Sequence, residues 1–258
     1  MAAARVIEGL AYGPDPSQIG DLHLPDRERP PVVCLLHGGF WRMPYGRDQL
    51  TPLAADLARR GFAAWNLEYR RLGGGGGWPA TFLDVAGGID HLALLAGEGI
   101  SLDLDRVAAV GHSAGGHLAL WAAGRPRLAA GLPGAGPRVR LRAAVGQAPV
   151  ADLVRAHALG LSRGVAAELL GGAPEEAPER YAAASPFALL PLGTRQLIVH
   201  GDADDTVPVE MGRDYAARAR AGGDPIEFVE LPGAGHFEHL DARGSAWAAV
   251  ARWLESAL

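Results

Sequence analysis

Residues Gly111-His112-Ser113-Ala114-Gly115 have the types and spacing of a nucleophile site. A serine hydroxyl attacks a carbonyl only when a base takes its proton. A histidine base in turn needs a carboxylate to fix its tautomer and support its charge. The flanking sequence gives the motif its meaning. Residues 107–110 are apolar and short, as a buried strand is, and the Ala- and Leu-rich run from Ala114 to Gly124 reads as a helix. A strand that becomes a helix within two residues strains its central residue and leaves room only for glycine beside it, and the serine Oγ points out of the sheet. On such an elbow the acid and then the histidine follow later in the chain. The stretch His200-Gly201-Asp202-Ala203-Asp204-Asp205 offers three acids, Asp202, Asp204 and Asp205. The stretch Gly233-Ala234-Gly235-His236-Phe237-Glu238-His239 offers two histidines. His236 follows a small-residue loop that can lay an imidazole over the edge of a sheet. His239 lacks that context and reads as a surface residue or the start of the last helical region. Donors for a tetrahedral oxyanion are expected from the N–H of Ala114, at a helix N-terminus, and from Gly39 and Phe40 in the loop His37-Gly38-Gly39-Phe40-Trp41.

The elements that must hold these residues alternate. Residues 6–12 and 21–24 read as an opening hairpin. Strands are expected at 32–36, 62–67, 107–110, 143–147, 196–200 and 226–231, and helices at 48–60, 79–96, 114–124, 209–221 and 245–258. Such alternation implies an α/β fold, one mostly parallel sheet of about eight strands with helices on both faces, and ligand sites at the carboxyl ends of its strands. The whole chain, 1–258, reads as one domain, and residues 150–185 as a small, cap-like helical insertion. Net charge is −5, which gives no basic footprint for nucleic acid or an anionic membrane. All the basic residues are arginine, which excludes Schiff-base chemistry and a Ser-Lys dyad. Cys34 is the only cysteine, lies in an apolar strand, and reads as a buried core residue. The start of the chain has no h-region and no apolar run approaches a membrane span, so a cytoplasmic protein is expected. His91, His117 and His157 stand singly without metal-ligand spacing, and neither a metal nor a cofactor is expected. His112 reads as a locally packed residue of the elbow, and Trp65, Trp121, Trp247 and Trp253 as core.

With these residues in view, the chain resembles the α/β-hydrolases over nearly its full length. His37-Gly38-Gly39-Phe40-Trp41 resembles the H-G-G-Y/F-W of the kynurenine formamidase (arylformamidase) group, where the hormone-sensitive-lipase-like esterases carry H-G-G-G. Glu68-Tyr69-Arg70, Trp78-Pro79-Ala80 and Asp84-Val85 resemble those esterases too. The five glycines at 73–77 depart from them. The family pattern H-G-x-x-D-x-x-V-P falls on His200, Gly201, Asp204, Val207 and Pro208, which makes Asp204 the implied acid. Asp202 and Asp205 are then turn-forming or solvated loop acids. The resemblance implies a Ser113-His236-Asp204 triad, an oxyanion hole of Gly39, Phe40 and Ala114, and a small-molecule ester or amide substrate. Trp41 and Trp78, on loops at the carboxyl end of the sheet, are candidate walls of an acyl or aryl pocket. The glycine loop is expected beside Ser113, where it would let Trp78 adjust over substrate or serve as an exposed spacer. Two other readings stand beside a carboxylesterase or arylformamidase. One is a small peptidase of the prolyl-oligopeptidase type, and the other a catalytically silent ligand receptor. The oligomeric state is not legible.

Overall fold

The computed structural model describes residues 5–258, so the first four residues of the start that shows no h-region lie outside the described residues. Eight strands form one sheet: β1 (Arg5–Ala11), β2 (Ile19–Leu24), β3 (Pro31–Leu36), β4 (Ala63–Leu67), β5 (Asp103–His112), β6 (Ala143–Gln147), β7 (Arg195–Gly201) and β8 (Ile226–Leu231). Their order across the sheet is β1-β2-β4-β3-β5-β6-β7-β8. β1 and β2 are antiparallel additions at one edge, and every pair from β4 to β8 is parallel. Among the described residues ten α-helices lie between or after the strands: α1 (Thr51–Arg59), α2 (Ala80–Asp90), α3 (Leu92–Gly97), α4 (Ala114–Gly124), α5 (Leu153–Ala158), α6 (Val165–Leu170), α7 (Pro178–Ala184), α8 (Pro186–Leu189), α9 (Val209–Ala221) and α10 (Ser245–Ala257).

The central strands are buried on both faces, so their side chains divide by the two-residue period of the pleat. Val32, Cys34 and Leu36 of β3, with Val107 and Ala109 of β5, face a large core built with α2 to α9. Val33, Leu35, Ala108 and Val110 face a smaller core closed by α1 and α10. The four tryptophans expected in the core lie there, and each indole N–H finds an acceptor: Trp65 on the Gly88 carbonyl at 2.8 Å, Trp121 on that of Ala183 at 3.0 Å, Trp247 on Asp56 at 2.7 Å and Trp253 on Glu227 at 2.7 Å. A buried N–H without a partner would cost roughly 1–3 kcal/mol.

Three local expectations change. The helix expected over 48–60 opens as a 3₁₀ turn, Arg47–Leu50, before α1. The helix expected over 79–96 is two, α2 and α3, meeting at His91. Residues 80–97 do reach, by length and composition, what a membrane span needs, with a mean hydropathy of 1.2, which corrects the reading that no such run exists. Half of that window is buried inside the fold, and its acids Asp84 and Asp90 pair with Arg70 and Arg125, each at 2.6 Å. The pair α2 and α3 thus behaves as core helix with internal counter-ions.

The glycine loop is an ordered turn. The N–H groups of Gly74 and Gly76 donate to the Arg71 carbonyl at 2.8 and 2.9 Å, and that of Gly77 to Thr81 Oγ1 at 2.9 Å. At Gly76 a Cβ would lie 2.4 Å from the Arg70 carbonyl oxygen, a close approach only glycine allows. Trp78 donates its backbone N–H to the Leu169 carbonyl at 2.7 Å and meets Phe82 edge-on at 5.1 Å against the large core. Trp78→Ala should therefore lower stability by about 2 kcal/mol, less than for a fully buried aromatic. Urea unfolding measures that loss. Relative kcat/KM for acetyl and longer-chain esters should stay unchanged, and a selective loss on long-chain esters would put Trp78 back in the pocket.

Candidate active site

Ser113 sits between β5 and α4 with φ 57° and ψ −119°, in the left-handed half of backbone space that a serine adopts only when its surroundings force it. The forcing is visible at the flanking glycines. A Cβ on Gly111 would lie 2.1 Å from the Gly115 carbonyl oxygen, and one on Gly115 would lie 1.9 Å from that of Leu36. The Ser113 N–H is tied to the Gln147 carbonyl of β6 at 2.8 Å. The elbow is thus wedged between β3 and β6.

The loop after β3 passes beside it. Gly39, Phe40 and Trp41 all have positive φ, at 102°, 50° and 56°, and the Arg42 N–H closes the turn on the Gly39 carbonyl at 3.0 Å. No hydrogen bond engages the N–H groups of Gly39 or Phe40 among the described residues, and that of Ala114, the first residue of α4, has no intrahelical acceptor. A buried support lies under this loop. The Tyr69 hydroxyl donates to the His37 carbonyl at 2.7 Å, and its ring stacks on the His37 imidazole at 4.3 Å. His37 Nε2 lies 2.8 Å from Glu68, which also accepts the N–H groups of Arg47 at 3.1 Å and Tyr69 at 3.0 Å. Burial pushes the Glu68 carboxyl up, but the bond from His37 and the other donors outweigh it and hold it below the usual carboxylate range. In the sequence, Glu68-Tyr69 carried only a family likeness. The contact with His37 needs β3 and β4 side by side.

Asp204 and His236 come from the loops after β7 and β8. Asp204 Oδ2 accepts from His236 Nδ1 at 2.7 Å and lies 3.2 Å from His200 Nε2, which donates to the Val207 carbonyl at 2.9 Å, while Oδ1 accepts the N–H groups of Thr206 at 2.9 Å and Val207 at 2.8 Å. Burial would raise this carboxyl. The neighbouring His200, with the bonds from His236 and Val207, reverses that and holds it well below the usual range. Asp202 accepts from the Gly233 N–H at 2.6 Å, and Asp205 from its neighbour Thr206 at 3.1 Å. Both residues are exposed. Ser113, His236, Gly39 and Phe40 line one cleft of about 480 Å³, whose outer walls include the exposed rings of Tyr45 and Phe237.

Three expectations about side chains are corrected. Trp41 is fully buried and gives its indole N–H to His117 Nδ1 at 3.2 Å, because the left-handed turn at 39–41 swings it into the core. Trp78 does not line the cleft, and the glycine loop before it contributes no wall either. His239 is fully buried, in the short turn Glu238–Leu240. Residues 150–185, read as cap-like, pack with α4 in the large core and give the cleft no lining residue. His112, read as local packing, reaches another loop: its Nε2 donates to the His236 carbonyl at 2.8 Å.

A mostly parallel eight-stranded sheet with helices on both faces, and a Gly-x-Ser-x-Gly elbow at the carboxyl end of its fifth strand, defines an α/β-hydrolase fold. Within that class, residues 21–218 match the BD-FAE family, and the chain belongs to it. It is 31% identical over 249 residues to Esterase LipC of Mycobacterium tuberculosis, covering 90% of this chain and 60% of that protein, so the chain spans about three fifths of that relative's length. Among solved structures it is similar to esterase Est2 of the planctomycete Thermogutta terrifontis, with a TM-score of 0.77 at 26% identity over 98% of this chain and 91% of that one. A truncated carbohydrate esterase from gut microbiota shares the fold with a TM-score of 0.83 at 22% identity, over 98% of this chain and 95% of that one.

Proposed function

We propose that the chain is a serine carboxylesterase acting on esters of small carboxylic acids. The observation that carries this reading is the 2.7 Å bond from His236 Nδ1 to a buried, ionised Asp204, in a cleft that also holds Ser113 on its elbow. That bond commits Nδ1 as donor and leaves Nε2 to accept a proton. Ser113 Oγ attacks the ester carbonyl as its proton passes to His236. The negative oxygen of the tetrahedral intermediate is met by the N–H groups of Ala114, Gly39 and Phe40, which donate to no other backbone group among the described residues. The C–O bond to the alcohol breaks as His236 returns the proton to the leaving oxygen. Water, deprotonated by the same imidazole, then attacks the acyl-serine and releases the acid.

The esterase relatives support an ester over other acyl compounds. The closeness of His-Gly-Gly-Phe-Trp to the arylformamidases keeps aryl formamides in the same chemical class. One panel tests the reading: p-nitrophenyl acetate, butyrate and octanoate, N-formylkynurenine, and a dipeptide amide. Turnover is expected for the short-chain esters and not for the dipeptide amide. A folded chain inert toward all esters would overturn the proposal and favour a ligand receptor. Preference for N-formylkynurenine would make it an arylformamidase.

A further inference from the structure

His112 and Gln147 are register partners at the carboxyl ends of neighbouring strands β5 and β6. Both send a side-chain donor into the loop that carries His236. His112 Nε2 donates to the carbonyl of His236 itself at 2.8 Å, and Gln147 Nε2 donates to that of His239 at 3.3 Å. Both bonds are buried. We infer that His112 and Gln147 are positioning residues, a two-point clamp that sets the height of His236 over Ser113. The inference rests on the esterase reading above.

The physical need for such a clamp lies in the loop. Its Phe237 is 67% exposed and Glu238 is exposed too, so the loop runs along the surface and dips inward only at His236 and His239. The bond to Asp204 orients the imidazole from one end but leaves the backbone of residue 236 free to rise or sink. A bond to that residue's own carbonyl removes this freedom. Its donor is the residue next to the nucleophile, so the distance from base to serine is set within one strand end. That strand end is held between β3 and β6. The His112 ring also lies against that of His236, with centroids 4.6 Å apart. Among the described residues its Nδ1 has no partner, and neither do the two ring nitrogens of His239, so the contacts that matter are the Nε2 bond and the backbone of residue 239. Burial above all, then the neighbouring His236 and His239, pushes the His112 pKa well down, so it remains a neutral donor while His236 gains and loses its proton. At Gly38 a Cβ would lie 3.1 Å from His112 Nδ1 and 3.2 Å from Ser113 Cβ, which explains a glycine there: the clamp and the nucleophile fill that space.

The test uses paired substitutions in the full chain, assayed on p-nitrophenyl acetate with thermal midpoints in parallel. In His112→Gln the amide nitrogen stands as many bonds from Cα as Nε2 does, so the bond can survive. In His112→Asn it stops short. His112→Asn should lower kcat by about 10–100-fold with KM within about twofold, as a displaced catalytic group does. His112→Gln should recover most of that loss. Gln147→Met, of the same shape without the donor, should lower kcat by roughly 10-fold. The double variant should lose less than the product of the singles, because both hold one loop. Equal damage from Asn and Gln, or KM rising as kcat falls, would mean packing alone and overturn the clamp. If His112→Asn does not fold, Gln147→Met decides, and an unchanged kcat there overturns it. An inactive parent chain would instead remove the esterase reading, so the two failures are distinct.

Discussion

Ser113→Ala should fold like the parent chain and lose ester hydrolysis by roughly 10³-fold or more, leaving only what oxyanion donors and binding supply. The expectation follows from the elbow. Ser113 holds φ 57° because Gly111 and Gly115 let the strand, the helix and the loop after β3 come into backbone contact. Alanine meets the same steric demand as serine, so the strain is unchanged and only the Oγ is lost. The site itself is built to hold a strained residue, and removing the hydroxyl tests chemistry without testing the fold. Turnover of p-nitrophenyl acetate by both proteins, with circular dichroism and a thermal midpoint for each, checks the expectation. A Ser113→Ala protein of undiminished activity would place the nucleophile elsewhere.

Asp204→Asn should cost roughly 10³–10⁴-fold in kcat. Asparagine would turn an amide NH₂ toward His236 Nδ1 or toward the N–H groups of Thr206 and Val207, all of which now donate to the carboxylate. The imidazole then loses the partner that fixes its tautomer and supports its positive charge. The exposed neighbours cannot substitute. Asp202 is committed to the Gly233 N–H and Asp205 to Thr206, so Asp202→Asn and Asp205→Asn should leave kcat within about threefold. The change also reaches stability. The Asp204 carboxyl is held well below its ordinary value in the folded chain, so its ionised form stabilises the fold above the unfolded carboxyl's pKa of about 3.9. That contribution fades as the pH falls toward the lower folded value. Asp204→Asn should therefore unfold more readily than the parent at pH 7, with the difference shrinking below about pH 4. Urea titrations at the two pH values measure it. A larger loss of activity from Asp202→Asn would reassign the acid.

The succession of the main strands and helices along the chain, the elbow and the loops that face it are legible in the residues alone. These depend on short-range physics. Alternating runs of apolar residues must be strands in a covered sheet, a Gly-x-Ser-x-Gly between strand and helix has one low-energy course, and loops after parallel strands open at the same end of the sheet. Asp204 was legible among three acids only through a family pattern, since all three sit in one polar loop. Its distinction in space is that its oxygens meet His236, His200, Thr206 and Val207. Where the long side chains went depended on packing between distant parts of the chain. Trp41 and Trp78 lie on loops at the correct end of the sheet, yet one turns inward to His117 and the other onto Phe82, because aromatic area leaves water wherever a core is within reach. His239 reads as polar and peripheral in one dimension and is buried in three. The hold of His112 and Gln147 on the His236 loop, and that of Glu68 and Tyr69 under the loop after β3, depend on which strands lie side by side and in what register. That pairing is a long-range property, invisible to any window of the chain short enough to read by pattern.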